Sequence, residues 1–392
     1  MRLIDARTND GTLTIWLEGH VDSSNAAEVE REVTEAREAA AGLPVVIDCS
    51  RLEYISSAGL RVILRLRKET ADLRLVEVSS EVYEVFDMTG FTEMLDITKA
   101  YRVISVDGCE AIGQGANGKV YRIDPDTIVK VYLNPDALPE IHRERELART
   151  AFVLGIPTAI PYDVVRVGEG YGSVFELLNA TSYAKLLARG EMGLDEVVGM
   201  SVELLKLIHS TTVKPESMPS MRDVAVGWAH DLEAYLPEEL YGRLCGLIEG
   251  VPEDLHMMHG DYHIKNVMLQ NGESLLIDMD TLCHGHPVFE LASMFNAYVG
   301  YGELDHDVIP NFLGIPFETS CEFWDKSLRL YLADGPADVE DVREKAMIVG
   351  YTRMMRRSIR RGGLDTPDGQ AFVGHCRQRL EELVPRHDTL VF

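Results

Sequence analysis

The stretch HGDYHIKN at residues 259–266 brings acidic, basic and amide side chains into one short segment. A carboxylate such as Asp261 can orient a hydroxyl group and accept its proton. Asn266 follows five residues later and Asp278 lies further on in LLIDMD, and both offer the oxygen ligands that magnesium prefers. The stretch is therefore either an ordinary polar loop or a site in which Asp261 is a base and the other two hold a metal ion.

A glycine-rich segment, GQGANGKVY, precedes this loop in the chain. Gly113, Gly115 and Gly118 match the spacing GxGxxG, which also occurs in dinucleotide-binding folds and in turns that bind no ligand. A dinucleotide fingerprint must open a helix, whereas KVYRI and TIVKVYL have the composition of strands. We therefore predict a glycine hairpin between strands, whose backbone amides can approach phosphate oxygens without obstruction by side chains.

Lys130 lies in the strand that follows this hairpin, within TIVKVYL. Its ammonium group either faces solvent from an edge strand or is directed at nucleotide phosphates and held there by a carboxylate. The helix predicted over 141–155 carries two acidic residues that could hold it. Glu144 is the preferred partner, with Glu146 as the alternative.

The other polar clusters near these motifs receive structural interpretations. His259 is expected to brace the loop by hydrogen bonding, and Lys265 either meets developing phosphate charge or is solvated. CHGH at 283–286 cannot readily close a tetrahedral metal site from a single turn, so it is interpreted as a loop near the site. The arginine run from Arg353 to Arg361 is interpreted as a solvated helix face, with an anion or an acidic partner as the alternative.

The order of these motifs resembles the aminoglycoside phosphotransferase and choline kinase branch of the protein kinase-like fold. In that branch HGDxxxxN replaces the HRD loop of protein kinases, and ID replaces DFG. The resemblance covers roughly residues 105–390 and implies an ATP site, a catalytic base and a Mg2+ site. The residues implied for nucleotide binding are Gly113, Gly115, Gly118, Lys130 and Glu144, the catalytic residue is Asp261, and the metal ligands are Asn266 and Asp278. Glu290, in PVFELA, stands where this family has an acidic residue that braces the helical lobe.

The elements that position these residues fall into two groups. The first hundred residues alternate strands and helices, which predicts a mainly parallel sheet covered by helices. The pattern of the remaining residues predicts a small sheet-rich lobe, about 101–178, followed by a helical lobe, about 179–392. We therefore predict two domains, an N-terminal α/β domain over 1–100 and a C-terminal α+β, bilobal, kinase-like domain over 101–392, with the boundary near 98–105.

The segment VVIDCSRLEYISSAGLRVIL at 45–64, supported by FDMTGF at 86–91, resembles the STAS domain of anti-sigma-factor antagonists. In that family a serine just before the second helix is phosphorylated by a partner anti-sigma kinase. The matching position is Ser57, and Ser56 stands where an acidic residue is often found. The alternative is that one of these serines only caps the helix. The two interpretations are compatible, because a phosphate at a helix N-terminus meets free amides.

The composition narrows the classes of partner. The 392 residues include 38 Lys and Arg against 64 Asp and Glu, a formal charge of −26, which argues against non-specific binding to nucleic acid or anionic membranes. The excess acid mildly favours a cationic small molecule as ligand. No stretch approaches the roughly 18 apolar residues of a membrane span. Six scattered cysteines fit reduced thiols, so we expect a cytoplasmic protein.

These observations lead to one preferred function and one alternative. We expect an enzyme that uses ATP and Mg2+ to phosphorylate a hydroxyl or amine group of a small-molecule acceptor, with the STAS module as a regulatory, protein-interacting part. The alternative is a non-catalytic nucleotide sensor that signals through the STAS module to an anti-sigma factor or another STAS-binding protein. The presence of Lys130, Asp261, Asn266 and Asp278 together favours the enzyme. The segment between 179 and 256 is expected to shape much of the acceptor pocket.

Overall fold

A computed structural model describes residues 3–9, 11–115 and 117–392 of the chain. Its residues form two compact units, each with a hydrophobic core of its own. The first unit comprises residues up to Asp107 together with Val164–Tyr171, and the second comprises Gly108–Asp163 together with Gly172–Phe392. The two-domain architecture is confirmed, while the exact limits 1–100 and 101–392 stay predictions.

Strands and helices alternate in the first unit, and helices dominate the second. In chain order the strands among the described residues are β1 (Ile4–Asn9), β2 (Thr12–Val21), β3 (Val45–Ile55), β4 (Leu73–Val78), β5 (Asp96–Lys99), β6 (Arg102–Ile104), β7 (Glu110–Gln114), β8 (Gly118–Asp124), β9 (Thr127–Tyr132), β10 (Asp163–Val167), β11 (Gly170–Glu176), β12 (Thr181–Ser182), β13 (Met257–Met258), β14 (Val267–Gln270), β15 (Glu273–Leu276) and β16 (Cys283–His284). The α-helices are α1 (Ala26–Ala39), α2 (Ser57–Glu69), α3 (Ser80–Met88), α4 (Leu138–Val153), α5 (Tyr183–Ala188), α6 (Leu194–Ser210), α7 (Met221–His230), α8 (Glu238–Glu249), α9 (Val288–Tyr298), α10 (Val308–Leu313), α11 (Phe317–Leu332), α12 (Val339–Arg360) and α13 (Pro367–Leu383).

A five-stranded mixed sheet forms the centre of the first unit, in the order β1-β2-β3-β4-β5. Strands β1 and β2 are antiparallel, and the other neighbours are parallel. Along β2 the side chains of Leu13, Ile15 and Leu17 are buried in alternation with more exposed ones, as expected for a strand with one face on the core. The predicted mainly parallel sheet covered by helices is confirmed.

An antiparallel sheet opens the second unit, where β11, β9, β8 and β7 are neighbours in that order. The glycine-rich segment joins β7 to β8, so it forms a hairpin between strands and does not open a helix. The helix predicted over 141–155 is α4, which begins earlier, at Leu138, with Pro139 in its first turn. Proline suits this position because its missing N–H would have no partner inside the helix.

The remaining elements of the second unit place the polar loop and Asp278. The loop at 259–266 lies between β13 and β14, and Asp278 comes two residues after β15. Helix α9 is buried on all sides, as expected of a helix with little polar surface, and it carries Glu290. Among the described residues no helix is both long and apolar enough to span a bilayer.

Candidate active site

Lys130 on β9 and Glu144 on α4 form a close ion pair. The ammonium Nζ lies 2.9 Å from Glu144 Oε1 and 3.1 Å from Oε2, and the two side chains are only 16% and 6% exposed. Glu146, the alternative partner, is exposed on the other side of the helix. A strand and the helix that follows it therefore hold the lysine in one position.

Tyr132 braces this pair and was not singled out from the sequence. Its hydroxyl donates to Glu144 Oε2 at 2.5 Å and lies 3.2 Å from Ser173 Oγ, while Lys130 Nζ lies 5.2 Å from the centre of its ring. Burial and the Glu144 carboxylate both raise the pKa of the Tyr132 hydroxyl, which keeps it a donor. The sequence signal for this contact is the spacing of Tyr132 and Lys130. The two lie two residues apart on β9, and such residues face the same side of a strand.

Asp278 reaches the same lysine from the second half of the unit. Its Oδ1 lies 3.1 Å from Lys130 Nζ, and its side chain is 47% exposed. Burial alone lowers the pKa of Lys130, but the Asp278 and Glu144 carboxylates raise it above its usual value. The backbone of Asp278 has φ of +63°, a left-handed conformation that is uncommon for residues other than glycine. Such outliers concentrate at functional sites.

The loop that carries Asp261 and Asn266 is closed by its own hydrogen bonds. Asn266 Nδ2 donates to the backbone oxygen of Asp261 at 3.1 Å, and the backbone N–H of Asn266 donates to the oxygen of His263 at 2.8 Å. The backbone N–H of Ile277 donates to the Asn266 oxygen at 2.9 Å, which places the residue before Asp278 directly beside the loop. Asn266 is thus hydrogen-bonded to the backbone of Asp261 and to that of the residue before Asp278.

The Asp261 carboxylate is 43% exposed and has two cationic or ionisable neighbours. Its Oδ2 lies 3.5 Å from His263 Nε2, and its Oδ1 lies 3.9 Å from an Arg353 nitrogen. Burial raises the pKa of Asp261, but His263, Arg353 and His259 outweigh it and hold the pKa well below its usual range. The group is therefore ionised near neutral pH and can accept hydrogen bonds.

Glu290 binds the backbone of the loop through its side-chain carboxylate. This carboxylate is fully buried and accepts the backbone N–H of His259 at 2.5 Å and those of Gly260 and Tyr262 at 3.1 and 3.3 Å. His259 Nδ1 accepts from the N–H of Asp261 at 3.3 Å, and its Nε2 donates to the oxygen of Ile277 at 3.2 Å. His259 therefore braces the loop, as its sequence position had suggested.

Gly260 has φ of +79°, and a Cβ on it would lie 2.4 Å from the backbone oxygen of Thr281. No other residue fits this position without moving the chain, because both the conformation and the space exclude a side chain. A glycine is thus required at position 260 of HGD because the backbone there lies close to the backbone of Thr281.

The interpretation of Arg353 as part of a solvated face is wrong. Its side chain is only 21% exposed, and its guanidinium lies 5.3 Å from the centre of the Trp228 ring. One nitrogen donates to the Gly260 oxygen and to Ser293 Oγ, each at 3.0 Å. Arg353 cannot be separated from its neighbours in the run by sequence alone, because its partners lie on distant elements.

The glycine hairpin lies beside the lysine. Strands β8 and β9 pair with Gly118 opposite Tyr132 and Val120 opposite Lys130. The N–H of Gly115 donates to the Gly118 oxygen at 2.9 Å, which closes the turn. Gly113 lies at the end of β7, and Ala116, inside the motif, lies outside the described residues.

The next residue of the hairpin, Asn117, connects it to the segment around Asp278. Its Nδ2 donates to Asp280 Oδ2 at 3.2 Å. Burial and the neighbouring Asp278 carboxylate raise the pKa of Asp280 to about 6. Neither residue was assigned a role from the sequence, although Asp280 is the second acid of LLIDMD.

The donor set of Asn266 and Asp278 fits magnesium. An amide oxygen and a carboxylate are hard oxygen ligands, and Mg2+ is commonly held by one or two protein ligands together with substrate phosphates. Among the described residues there is no group of three or more His, Cys, Asp and Glu side chains placed to hold a metal. In CHGH, the Nδ1 atoms of His284 and His286 bind the oxygen of Asp254 and the N–H of Val288 respectively.

Lys265 lies on the same loop but does not contact Asp261. Its Nζ lies 4.6 Å from the centre of the Phe312 ring, and burial together with Lys185 lowers its pKa. The described contacts therefore place this lysine against an aromatic ring and give no pairing with a carboxylate.

In the first unit, the two serines before α2 have different positions. Ser56 is the N-cap, and its Oγ accepts the N–H of Ala58 at 3.1 Å. Ser57 is the first residue of the helix and its side chain is exposed. Ser57 is therefore free of the capping role that was the alternative for both residues.

The fold of the second unit and the constellation around Lys130 and Asp261 define a kinase-like phosphotransferase. Comparison with known proteins agrees with this. Residues 108–313 match the phosphotransferase enzyme family and residues 4–103 match the STAS domain. The chain belongs to the phosphotransferase enzyme family, with a STAS domain in front of the matching region.

The chain is also similar to the following individual proteins. BtrV of Bordetella bronchiseptica, named as a candidate anti-sigma factor antagonist, is 40% identical over 95 residues, which is 23% of this chain and 81% of BtrV. A choline/ethanolamine kinase family protein from Mesorhizobium loti is 15% identical, with a TM-score of 0.47, over 70% of this chain and 87% of that one. The ADP-bound aminoglycoside phosphotransferase APH(2'')-Ib is 15% identical, with a TM-score of 0.48, over 72% and 94%.

Proposed function

We propose that the second unit transfers the γ-phosphoryl group of ATP, in the presence of Mg2+, to a hydroxyl or amine group of a small molecule. The observation that carries the proposal is the joint contact of Lys130 with Glu144 and Asp278, beside a loop that presents an ionised Asp261. Phosphoryl transfer depends mainly on positioning and on electrostatic stabilisation, and these residue types supply both.

In the proposed reaction Asp261 orients the acceptor and takes its proton. The acceptor oxygen or nitrogen forms a bond to the γ-phosphorus, the bond from that phosphorus to the bridging oxygen of the β-phosphate breaks, and ADP leaves. The low pKa of Asp261 suits a late proton transfer, because the carboxylate stays ionised until the acceptor loses electron density to phosphorus.

The remaining site residues hold the nucleotide. The amides of the hairpin that contains Gly113, Gly115 and Gly118 approach the phosphates, and Lys130 binds them while Glu144 keeps its ammonium in place. Asn266 and Asp278 would hold Mg2+, which when bound neutralises charge on the phosphate oxygens. Asp278 must then exchange its 3.1 Å contact with Lys130 for these new partners.

For the first unit we propose a role in protein interaction. Its likeness to anti-sigma factor antagonists supports a partner of the anti-sigma factor type. The exposed Ser57 at the start of α2 is the proposed modification site, because a phosphate there would lie at a helix N-terminus, where the helix dipole favours negative charge. We propose that a separate kinase writes this modification as a regulatory input.

Two substitutions test the proposed enzyme. With an identified acceptor, Asp261→Asn should nearly abolish ADP release and leave Mg-nucleotide affinity unchanged. Asp278→Ala should instead weaken metal-dependent nucleotide binding, measured by calorimetry with and without Mg2+. Wild-type turnover in Asp261→Asn would refute the assigned role, and nucleotide binding without any turnover across amino alcohols, aminoglycosides and protein fractions would favour the nucleotide sensor.

A further inference from the structure

Three arginines follow one face of α12, beginning at the catalytic loop. Arg353, Arg357 and Arg361 are spaced by four residues, which places neighbours about 6 Å apart along the helix axis. Arg361 caps the end of the helix. A line of positive charge of about 12 Å therefore starts beside Asp261 and leads away from it.

The first member of the line is fixed by the protein. Arg353 binds the Gly260 oxygen and Ser293 and rests on Trp228, with one nitrogen 3.9 Å from Asp261. These contacts determine where the face of α12 points, because they tie its middle turn to the loop that carries the proposed base.

The next two members have no acidic partner. Arg357 and Arg361 are exposed, and among the described residues neither makes an ion pair or a hydrogen bond with a carboxylate. Arg356, one position away, is by contrast held by Asp231 at 2.6 Å. In a chain with a formal charge of −26, two arginines one and two turns of helix beyond Arg353 remain available for a ligand.

The charge of these arginines also acts on a second element. Tyr301, which follows α9, stacks on Phe372 with ring centres 5.8 Å apart. Burial raises the pKa of its hydroxyl, while the positive charges of Arg357, Arg353 and Arg361 act in the opposite direction.

We propose that Arg357 and Arg361 bind an anionic group, a carboxylate or a phosphate, on the acceptor whose hydroxyl Asp261 engages. This inference rests on the proposed function and narrows its substrate to a hydroxylated acid or a phosphate ester. Guanidinium groups bind both kinds of anion in a planar, bidentate manner. The cationic acceptor that the overall charge favours is the competing outcome, since net charge does not describe the local field.

A structural explanation also exists for part of the line. Cations in the last turn of a helix interact favourably with its dipole, which could account for Arg361 without any ligand. It does not account for the position of Arg353 against the catalytic loop. Binding measurements separate the two explanations.

The test uses the full-length chain saturated with Mg-ADP, so that the nucleotide site is filled. D-glycerate and glycerol 3-phosphate are titrated by calorimetry, with glycerol as the neutral control and ethanolamine as the cationic one. We expect at least one anion to bind more tightly than glycerol and ethanolamine. The double variant Arg357→Gln, Arg361→Gln should lose about tenfold or more in that affinity, the order expected for charge-assisted hydrogen bonds.

The matched control is Arg377→Gln, which removes an exposed arginine of α13 that pairs with Glu381 at 2.9 Å. It should leave the affinity for the anion unchanged. The inference is overturned if neither anion binds, if ethanolamine binds more tightly, or if the double variant binds the anion as well as wild type does. Failure of wild type to bind Mg-ADP in the first step would instead refute the proposed function.

Discussion

Both carboxylate oxygens of Glu290 lie 3.1 Å from the backbone nitrogen of Gly260, across 30 residues of sequence. Glu290→Gln would turn an NH2 group toward N–H donors in a fully buried place. We expect the free energy of unfolding to fall by about 1–3 kcal/mol, the cost of an unsatisfied buried donor, and turnover to fall with it. Chemical denaturation and ADP release measure the two effects, and the exposed Glu318→Gln should change neither.

Glu290 also predicts a pH dependence of stability. Burial raises its pKa, but His209, His259 and the Gly260 amide lower it below the ordinary value of 4.5. A carboxyl group whose pKa is depressed in the folded state stabilises the fold above its unfolded pKa, and this contribution is lost as the pH falls through the folded value. The difference in unfolding free energy between wild type and Glu290→Gln should therefore shrink from about pH 7 to about pH 3. A difference that grew on acidification would contradict the assignment.

Glu144 and Glu146 offer a matched pair on one helix. Glu144→Gln removes the charge that holds Lys130, so we expect turnover to fall by about 10- to 100-fold, as for the loss of a charge-assisted hydrogen bond. Glu146→Gln removes the same charge from an exposed position and should leave turnover close to wild type. Steady-state ADP release of the two variants measures which carboxylate supports turnover. A larger loss in Glu146→Gln than in Glu144→Gln would make Glu146 the functional partner of Lys130.

Gly118 and Gly115 belong to the same hairpin but differ in their surroundings. A Cβ on Gly118 would lie 2.6 Å from the Val131 oxygen, whereas one on Gly115 would meet nothing within 4 Å. Gly118→Ala should therefore cost about 1–3 kcal/mol of stability and lower the affinity for Mg-ADP. Gly115→Ala should unfold at the wild-type temperature, and equal melting temperatures for both variants would show that the hairpin can relax.

Incubation of the purified protein with labelled ATP, followed by mapping of the label, tests Ser57. Because we propose that another kinase writes this modification, we expect no stoichiometric label on Ser57 in the protein alone. Ser57→Ala should leave stability nearly unchanged, whereas Ser56→Ala should cost about 1 kcal/mol through loss of the cap. Stoichiometric label that is lost in both Ser57→Ala and Asp261→Asn would instead make the protein its own substrate.

The sequence predicts the local parts of this molecule well. The glycine hairpin, Lys130 and helix α4 follow one another along the chain, so periodicity and turn composition are sufficient to predict their order. The predicted two-domain fold and the predicted membership of a phosphotransferase family are both confirmed. Both could be predicted because they depend on motifs that follow one another in a fixed order along the chain. The roles of the individual site residues stay predictions.

The contacts that the sequence does not predict join distant elements. Arg353 binds a loop residue 93 positions earlier, and Asn117 binds Asp280 across 163 positions. Hydrophobic periodicity predicts that a residue lies on a helix but not which neighbour it faces, so one arginine of a run cannot be told from the next. Tertiary packing alone decides these partners.

Every polar group of Gly260 is already occupied: its N–H by Glu290, and its oxygen by Arg353 and Ser293. The residue before the proposed base therefore has almost no conformational freedom left to lose when a substrate arrives. The entropy of ordering was lost when the chain folded, so the activation entropy of the chemical step should be small and turnover should depend on temperature mainly through enthalpy. A substitution that removes one of these hydrogen bonds should make the activation entropy of turnover more negative. This change should be measurable before any change in nucleotide affinity.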